Sequence, residues 1–574
     1  MSCIHTFRMT QASLMIMCTL ALVGCTALPD DSPAEVDRSL EAETSDWAQI
    51  EQEVQTCSDE RVVVACGRSG QGLVCSRWGY PSTPPTKGMT PRFLKGNLVI
   101  PQMSDANYWG SPKYALTIQY PDINGDGDAD MCARSSNGIV CADGNGDGTF
   151  SNYGLRLPYF TDAQNWDDDP SVWATIQFGD LNADGFDDVC GRTFNHGVRC
   201  ALADGNGGFH NPTLWLDDAK NGDGFNDTSS WSTMRLVHLN RDDDKIDICI
   251  RRTPKHANYG QGWFRVGGLS CATSTGTYFH KDVKSWPTTP SSPTIPAGMS
   301  HLTGVLETYD RDHPELFGYY TDWANGGGME DLWATAPKYG TIHFANVRNS
   351  SADYNYIRTV FYGPRNDACG LSEEGIVCAE RVHRDTARVT FGHRQVYTTH
   401  FNLNDPNAGW DRPSQWGTLH FPDVNGDGLA DVCGRSRNGI DCQVSNDAYH
   451  NPRFVNVHGP GSHQWTTVFS DATGWGQSAH NWSTITYFDV DGDGRDDVCG
   501  RSNNGLVCAL SQGDTFGLPL GPASPHDNFS NVNGWHHSQT RWGTIRIFEA
   551  RRDGVCDSGK GNLPWGTSAV HPRN

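Results

Sequence analysis

Asp423-Val-Asn425-Gly-Asp427-Gly-Leu-Ala-Asp431-Val-Cys433-Gly-Arg435, followed by Gly439-Ile-Asp-Cys442, is one copy of a phrase that recurs along the chain. Close copies run from Asp122 to Cys141, from Asp180 to Cys200 and from Asp489 to Cys508. The phrase joins an oxygen-rich loop, a strand and a pair of cysteines. A repeat of about 60 residues marks an array of similar sheets.

The hairpin inside the phrase fixes a register. A turn from Ser436 to Gly439 sets Arg435 opposite Ile440. Two residues further out, Cys433 faces Cys442. Opposed residues of antiparallel strands have Cα atoms about 4.5–5.5 Å apart, within reach of a disulfide. The same logic orders seven expected disulfides: Cys66 with Cys75, Cys132 with Cys141, Cys190 with Cys200, Cys249 with Cys271, Cys369 with Cys378, Cys433 with Cys442, and Cys499 with Cys508. Zinc is the alternative, but it needs four clustered ligands, and no histidine recurs with these pairs. Cys57 and Cys556 remain, one near each end of the array, and are expected to pair across a loop of about 500 residues, where chain-entropy arguments predict the largest gain.

Upstream of each phrase stands another unit: Trp173-Ala-Thr-Ile-Gln-Phe178, Trp231-Ser-Thr-Met-Arg-Leu236, Trp416-Gly-Thr-Leu-His-Phe421 and Trp482-Ser-Thr-Ile-Thr-Tyr487. Period-2 alternation predicts strands here. Downstream, Gly-rich turns lead to further strands. Four antiparallel strands per copy make a propeller blade. The expected fold is therefore all-β, a seven-bladed β-propeller over residues 56–574, with insertions near 250–340. Eight blades, with a degenerate copy around Leu302–Tyr320, is the alternative. The C-terminus carries the first half of a blade (Trp542 to Cys556) and the N-terminus the second half (Val62 to Arg68), so pairing of the two is expected to close the ring and remove open edges.

The loop chemistry points to calcium. Ca2+ takes about six to eight hard oxygens. Positions 1, 3, 5 and 9 of the loop supply them, with Gly at position 6 for the turn. The expected ligands are Asp122, Asn124, Asp126 and Asp130; Asp180, Asn182, Asp184 and Asp188; Asp423, Asn425, Asp427 and Asp431; and Asp489, Asp491, Asp493 and Asp497. The loop at His238 has one residue too many. The loops at Val347 and Glu549 lack the acids or carry Arg551 instead. Each good loop is expected to tie strands together, because its carboxylates repel one another without a cation.

These motifs resemble the FG-GAP/VCBS repeat superfamily of calcium-bearing propellers, which includes the integrin α-subunit head. The chain is also similar to fungal and bacterial propeller lectins built from such blades. The resemblance spans roughly residues 57–560 and implies the same calcium ligands. It is a weak guide to role, since one fold hosts many functions.

The N-terminus reads as a targeting segment. Leu14–Val23 is an apolar stretch too short to span a bilayer. Leu22-Val23-Gly24-Cys25 resembles the lipobox of bacterial lipoproteins. That resemblance implies a signal peptide over residues 1–24, lipidation of Cys25 and a membrane anchor. Thr26, where inner-membrane retention usually places Asp, points to the outer membrane or cell surface. Residues 25–55, rich in Pro, Ser and acids, read as a disordered tether. Such a compartment preserves disulfides.

The 574-residue chain has a formal net charge of −23, which argues against a nucleic-acid partner. No His-Glu-x-x-His, Gly-x-Ser-x-Gly or phosphate loop occurs, so no catalytic residue is assigned. Arg follows the first cysteine in six copies (Arg68, Arg134, Arg192, Arg251, Arg435, Arg501) and is expected to pair with the adjacent blade. A third phrase, as in Thr161-Asp-Ala-Gln-Asn-Trp166 and Ser470-Asp-Ala-Thr-Gly-Trp475, joins consecutive blades. Its Trp109, Trp166, Trp286, Trp475 and Trp535 are either wedges between blades or platforms for sugar rings. The expected function is a cell-surface, calcium-stabilised binding or scaffold module that takes a glycan or an extracellular protein. The alternative is a carbohydrate-active enzyme, a polysaccharide lyase or hydrolase.

Overall fold

Each cysteine pair sits at the centre of one sheet. The computed structural model describes residues 61–82, 85–86, 88–166, 169–223, 225–239, 244–252, 268–281, 340–347, 367–385, 388–404, 409–446, 453–458, 463–522 and 529–551. The signal peptide, Cys25, the tether, Cys57, Cys556, Trp286 and the stretch around 302–320 lie outside them.

The described strands form seven sheets, the blades of a seven-bladed propeller. Blade 1 joins Arg546–Glu549, Val63–Ser69 and Gly72–Gly79, with Arg92–Phe93 and Asn97–Ile100 outside. Blade 2 is Met131–Ser135, Gly138–Gly144 and Phe150–Leu157. Blade 3 is Gln177–Gly179, Asp188–Thr193, Gly197–Ala201 and Thr213–Leu216. Blade 4 is Arg235–Val237, Asp247–Arg252, Gly268–Ser274 and Phe279–Lys281. Blade 5 is His343–Ala345, Asp367–Leu371, Ile376–Asp385 and Arg388–Thr398. Blade 6 is Val432–Arg435, Ile440–Asn446, Arg453–Val455 and Gln464–Thr466. Blade 7 is Thr486–Phe488, Asp497–Ser502 and Gly505–Ala509. In blade 1 the last described strand pairs antiparallel with the first, Val64 opposite Phe548 and Cys66 opposite Arg546.

All seven hairpins hold a disulfide between directly opposed cysteines, with Cα atoms 4.1 or 4.2 Å apart. Cys66 bonds to Cys75 in blade 1, Cys132 to Cys141 in blade 2 and Cys190 to Cys200 in blade 3. Cys249 bonds to Cys271 in blade 4, across a longer connection, and Cys369 to Cys378 in blade 5. Cys433 bonds to Cys442 in blade 6 and Cys499 to Cys508 in blade 7. In blade 6, Arg435 faces Ile440. The turn needs Gly439, whose φ is 142°; a Cβ there would collide with the Thr466 carbonyl.

The Trp-x-Thr units differ from the expected strands. Pro170–Trp173, Thr228–Trp231, Pro413–Trp416, Ala479–Trp482 and Gln539–Trp542 are single helical turns. The strand begins only after them, at Gln177 in blade 3. Local capping outweighs the alternation. Asp169 and Asp227 accept the amides of Ser171 and Ser229, and Pro170 and Pro413 suit a first helical position. The threonine two residues past each tryptophan then joins the turn to the sheet. Thr175 Oγ1 donates to the Val172 carbonyl at 2.6 Å and accepts the Arg192 amide at 2.9 Å. Equivalent bonds tie Thr117, Thr233, Thr341, Thr418, Thr484 and Thr544 to the central strand of their blades.

Apolar clusters lie between blades rather than within them. Val424 and Cys433 of blade 6 share a cluster with Val498 and Ala509 of blade 7. Val63 and Ala65 of blade 1 share one with Val490 and Cys499 of blade 7. Size matching is strict at these seams. A Cβ on Gly191 would stand 2.7 Å from the Trp166 ring, and on Gly500 2.8 Å from Trp475. In blade 4, Ile250 stands in place of the glycine, and Phe225 in the same cluster replaces the tryptophan.

Gly191→Ile or Trp166→Phe alone is expected to cost about 2 kcal/mol by overpacking or cavity formation. The double variant reproduces the blade 4 pair and is expected to cost less than the sum, by about 1 kcal/mol or more. Denaturant melts of the four proteins check this; additive losses would contradict the size-matching account.

Candidate metal loops and blade connectors

The four acidic loops share one geometry. In the first, Asp122 turns both oxygens inward, accepting the Gly125 amide at 2.7 Å and the Gly127 amide at 3.1 Å. Asn124 Oδ1 accepts the Asp126 amide, and Asp126 Oδ1 the Asp128 amide, both at 2.9 Å. The same contacts recur from Asp180, Asp423 and Asp489. In the last loop, carboxylate oxygens of Asp489, Asp491 and Asp493 lie within 4.8 Å of one another. An all-oxygen set on a tight loop fits a hard divalent cation such as Ca2+.

The ninth-position aspartates stand at the base of each loop. Asp130 is fully buried and accepts amides of Ile123 at 2.9 Å and Gly144 at 2.8 Å. Burial, and then the nearby Asp122 and Asp126, push its carboxyl up to about 7. Burial likewise raises Asp188 and Asp497 to about 8, and Asp431 well above the usual range. Asp497 is outside the group formed by Asp489, Asp491 and Asp493.

The loops also grip their neighbours. The Asp187 carboxylate accepts the Asp122 amide at 2.9 Å, while the Asp187 amide donates to the Asp122 carbonyl at 2.7 Å. Asp496 and Asp423 repeat this pair across blades 6 and 7. In the degenerate loop after Glu549, the Arg551 guanidinium reaches Asp128 of the blade 2 loop at 3.2 Å. There a side-chain cation stands beside the neighbouring acids.

The arginines after the first cysteines are buried, each at most 1 % exposed. Their shared pattern bridges the helical turn ahead of a blade and the connector behind it. Arg435 donates to the Ser414 carbonyl of the helical turn at 3.0 Å, to the Phe469 carbonyl at 2.8 Å and to the Asp471 carboxylate. Arg134 makes the same set with Lys113, Phe160 and Asp162. Arg192 and Arg501 meet Asn221 and Asn531 where Arg68, Arg134 and Arg435 meet Asp. Burial without a carboxylate in that place lowers both guanidinium groups to about 10, still charged at neutral pH. Arg68 spans the ends of the chain, binding the Thr540 carbonyl at 3.0 Å and Asp105 at 2.7 Å.

Of the two roles open to the connector tryptophans, the described ones take the wedge, and Trp286 lies outside the described residues. Trp109, Trp166, Trp475 and Trp535 are 5, 3, 5 and 2 % exposed. Trp166, Trp475 and Trp535 each lie on the glycine of the next blade (Gly191, Gly500 and Gly67), edge-on or tilted against Phe160, Phe469 and Phe529. No face is left for a pyranose. Trp410, missed in the sequence, does the same on Gly434 against Phe401. Its connector is longer, so the spacing hid it. The connectors that leave blades 1, 2, 3, 6 and 7 thus offer an Asp or Asn to the preceding blade and an aromatic ring to the following one.

Residues 122–190 match the family model described as the FG-GAP-like repeat. No curated protein matches the chain. Among solved structures, the chain is similar to an Agrocybe aegerita lectin that recognises non-reducing terminal N-acetylglucosamine. The TM-score is 0.55 at 17% identity, covering 86% of this chain and 96% of that one. The Photorhabdus luminescens Tc holotoxin pore matches with a TM-score of 0.34 at 11% identity, over 80% of this chain and 17% of that one.

Arg435→Lys is expected to destabilise the protein by about 2–3 kcal/mol, because one ammonium cannot reach partners in three directions. Asp471→Asn is expected to cost under about 1 kcal/mol, since blades 3 and 7 already use Asn. Thermal denaturation distinguishes them. Equal losses would sink the connector account.

Proposed function

We propose that this chain is a calcium-stabilised, carbohydrate-binding protein held at the bacterial cell surface by lipid on Cys25. The observation that carries the carbohydrate part is the fold, which a sugar-recognising lectin shares over most of both chains. The sequence adds nothing catalytic to weigh against it. Calcium rests on the four acidic loops. Each gathers carboxylate and amide oxygens on one tight turn, the donor set a hard divalent ion takes. Seven disulfides fit an oxidising compartment outside the cytoplasm. The anchor rests on the resemblance of Leu22–Cys25 to a lipobox.

The role assigned to calcium is structural. The loops clasp one another from blade to blade through Asp122 with Asp187 and Asp423 with Asp496. Removing the ion would release carboxylates that repel at short range.

A glycan array probed with the calcium-loaded protein is expected to show binding to a restricted set of terminal sugars. EDTA is expected to lower the melting temperature by several degrees, because ligands of the folded state stabilise it by mass action, and to reduce array binding. An array with no bound glycan would overturn the carbohydrate proposal. A melting temperature indifferent to EDTA would overturn the calcium proposal.

A further inference from the structure

Blade 6 breaks its own repeat beside the disulfide. In five blades the residue after the second cysteine is alanine (Ala142, Ala201, Ala272, Ala379 and Ala509), and in blade 1 it is Ser76. In blade 6 it is Gln443. The residue before that cysteine is valine in blades 1, 2, 5 and 7, and Asp441 in blade 6. Both polar side chains are buried, 8 % exposed for Asp441 and 5 % for Gln443. Buried polar groups weaken a sheet unless they are fully paired, and Gln443 is not. Its Nε2 donates to Asn456 Oδ1 at 2.8 Å, while its Oε1 is buried with no hydrogen-bond partner. A local rule broken at a cost to stability marks a place kept for another purpose.

The polar residues gather at one cleft. Gln443 lines a cavity of about 340 Å³ between blades 5 and 6, with His400, His463, Asn456 and Arg453 on its walls. The His400 and His463 rings stack, centroids 3.5 Å apart. His400 Nε2 meets Asp441 Oδ2 at 3.2 Å, and Ser436 donates to Asp441 Oδ1 at 3.1 Å. His463 Nδ1 pairs with Asn456 Oδ1. Burial and the neighbouring His400 hold His463 below the usual histidine range, so near neutral pH it carries one donor and one acceptor.

We infer that the blade 5–6 cleft, organised by Asp441 and Gln443, binds a single neutral sugar residue. This rests on the carbohydrate proposal above and assigns it one place. The chemistry favours a neutral polyol. Amide, imidazole and guanidinium groups alternate donors with acceptors, which suits a ring of hydroxyls. Arg453 is the cation on the wall, and Asp441, which pairs with the lining His400, offsets its charge. The volume falls at the small end of ligand cavities, about 300–1,000 Å³. A metal is a poorer occupant. Among the described residues, the metal-ligating side chains that converge in a group of three are Asp489, Asp491 and Asp493, and neither histidine belongs to it.

The test uses substitutions that restore the repeat, so folding is not put at risk. Gln443→Ala and Asp441→Val give blade 6 the residues of its neighbours. Calorimetric titration of the full chain with free N-acetylglucosamine, N-acetylgalactosamine, galactose, mannose and glucose is expected to find at least one ligand. Each variant is expected to bind it at least 10-fold more weakly with a melting temperature equal to or above that of the wild type. Unchanged affinity in both variants overturns the cleft and leaves the carbohydrate proposal standing. So does the absence of any titratable monosaccharide when array glycans still bind. A melting temperature lowered in both variants would make these residues structural and also overturns the cleft. Failure on both the array and the titration removes the two proposals together.

Discussion

A guanidinium with no solvent exposure must find every partner inside the protein, and six of the seven blades bury one. Its donors point in fixed directions. One set reaches the helical turn that opens the blade, another the connector that leaves it. That geometry dictates much of the rest. The turn must present a carbonyl, so Ser414, Ser171 and their equivalents sit in a single helical turn rather than a strand. The connector must present an oxygen, so Asp105, Asp162, Asn221, Asp471 and Asn531 occupy one position. The same connector then lays its aromatic ring on the next blade. In blades 1, 3, 6 and 7 a glycine stands there, because the tryptophan ring lies where a Cβ would be. In blade 5, Leu371 replaces the arginine and keeps only the amide bond to Thr341.

Acidic loops form a second network between blades. Asp187 holds the Asp122 backbone from blade 3, and Asp496 holds Asp423 from blade 7. Both networks act between neighbouring blades, where the apolar clusters also lie. The disulfides, by contrast, act within blades. Cross-links of about 10 residues restrain the unfolded hairpin modestly. The blade is thus fixed covalently, and the assembly of blades by buried charge, aromatic packing and the acidic loops.

Much of this was readable because strand pairing obeys a period of two. Placing Cys433 opposite Cys442 required only a turn length, and the observed register agrees. The helical turns were not, although Pro112, Pro170 and Pro413 stand at their first positions and signalled them. A Trp-x-Thr-Ile stretch alternates like a strand, and four residues are too few for a helical period to show. The tryptophans left two roles open because a sequence records an aromatic beside Asp and Asn without saying which face is covered. Asp441 and Gln443 were visible as departures from Cys-Ala, but a departure has meaning only against the burial of that position. The polar walls come from segments distant in sequence, and His400 and His463 meet there as a stacked pair.

Repetition and its interruption therefore carry different information. Connectors that recur with the same contacts are scaffolding. A buried polar pair in one blade, with an amide oxygen left unpaired, is where binding is placed. The stoichiometry of sugar binding by the full chain tests that division most directly. Equilibrium titration at a protein concentration well above the dissociation constant is predicted to give one site per chain. Several equivalent sites, one per connector, would contradict the account and return binding to the repeated loops.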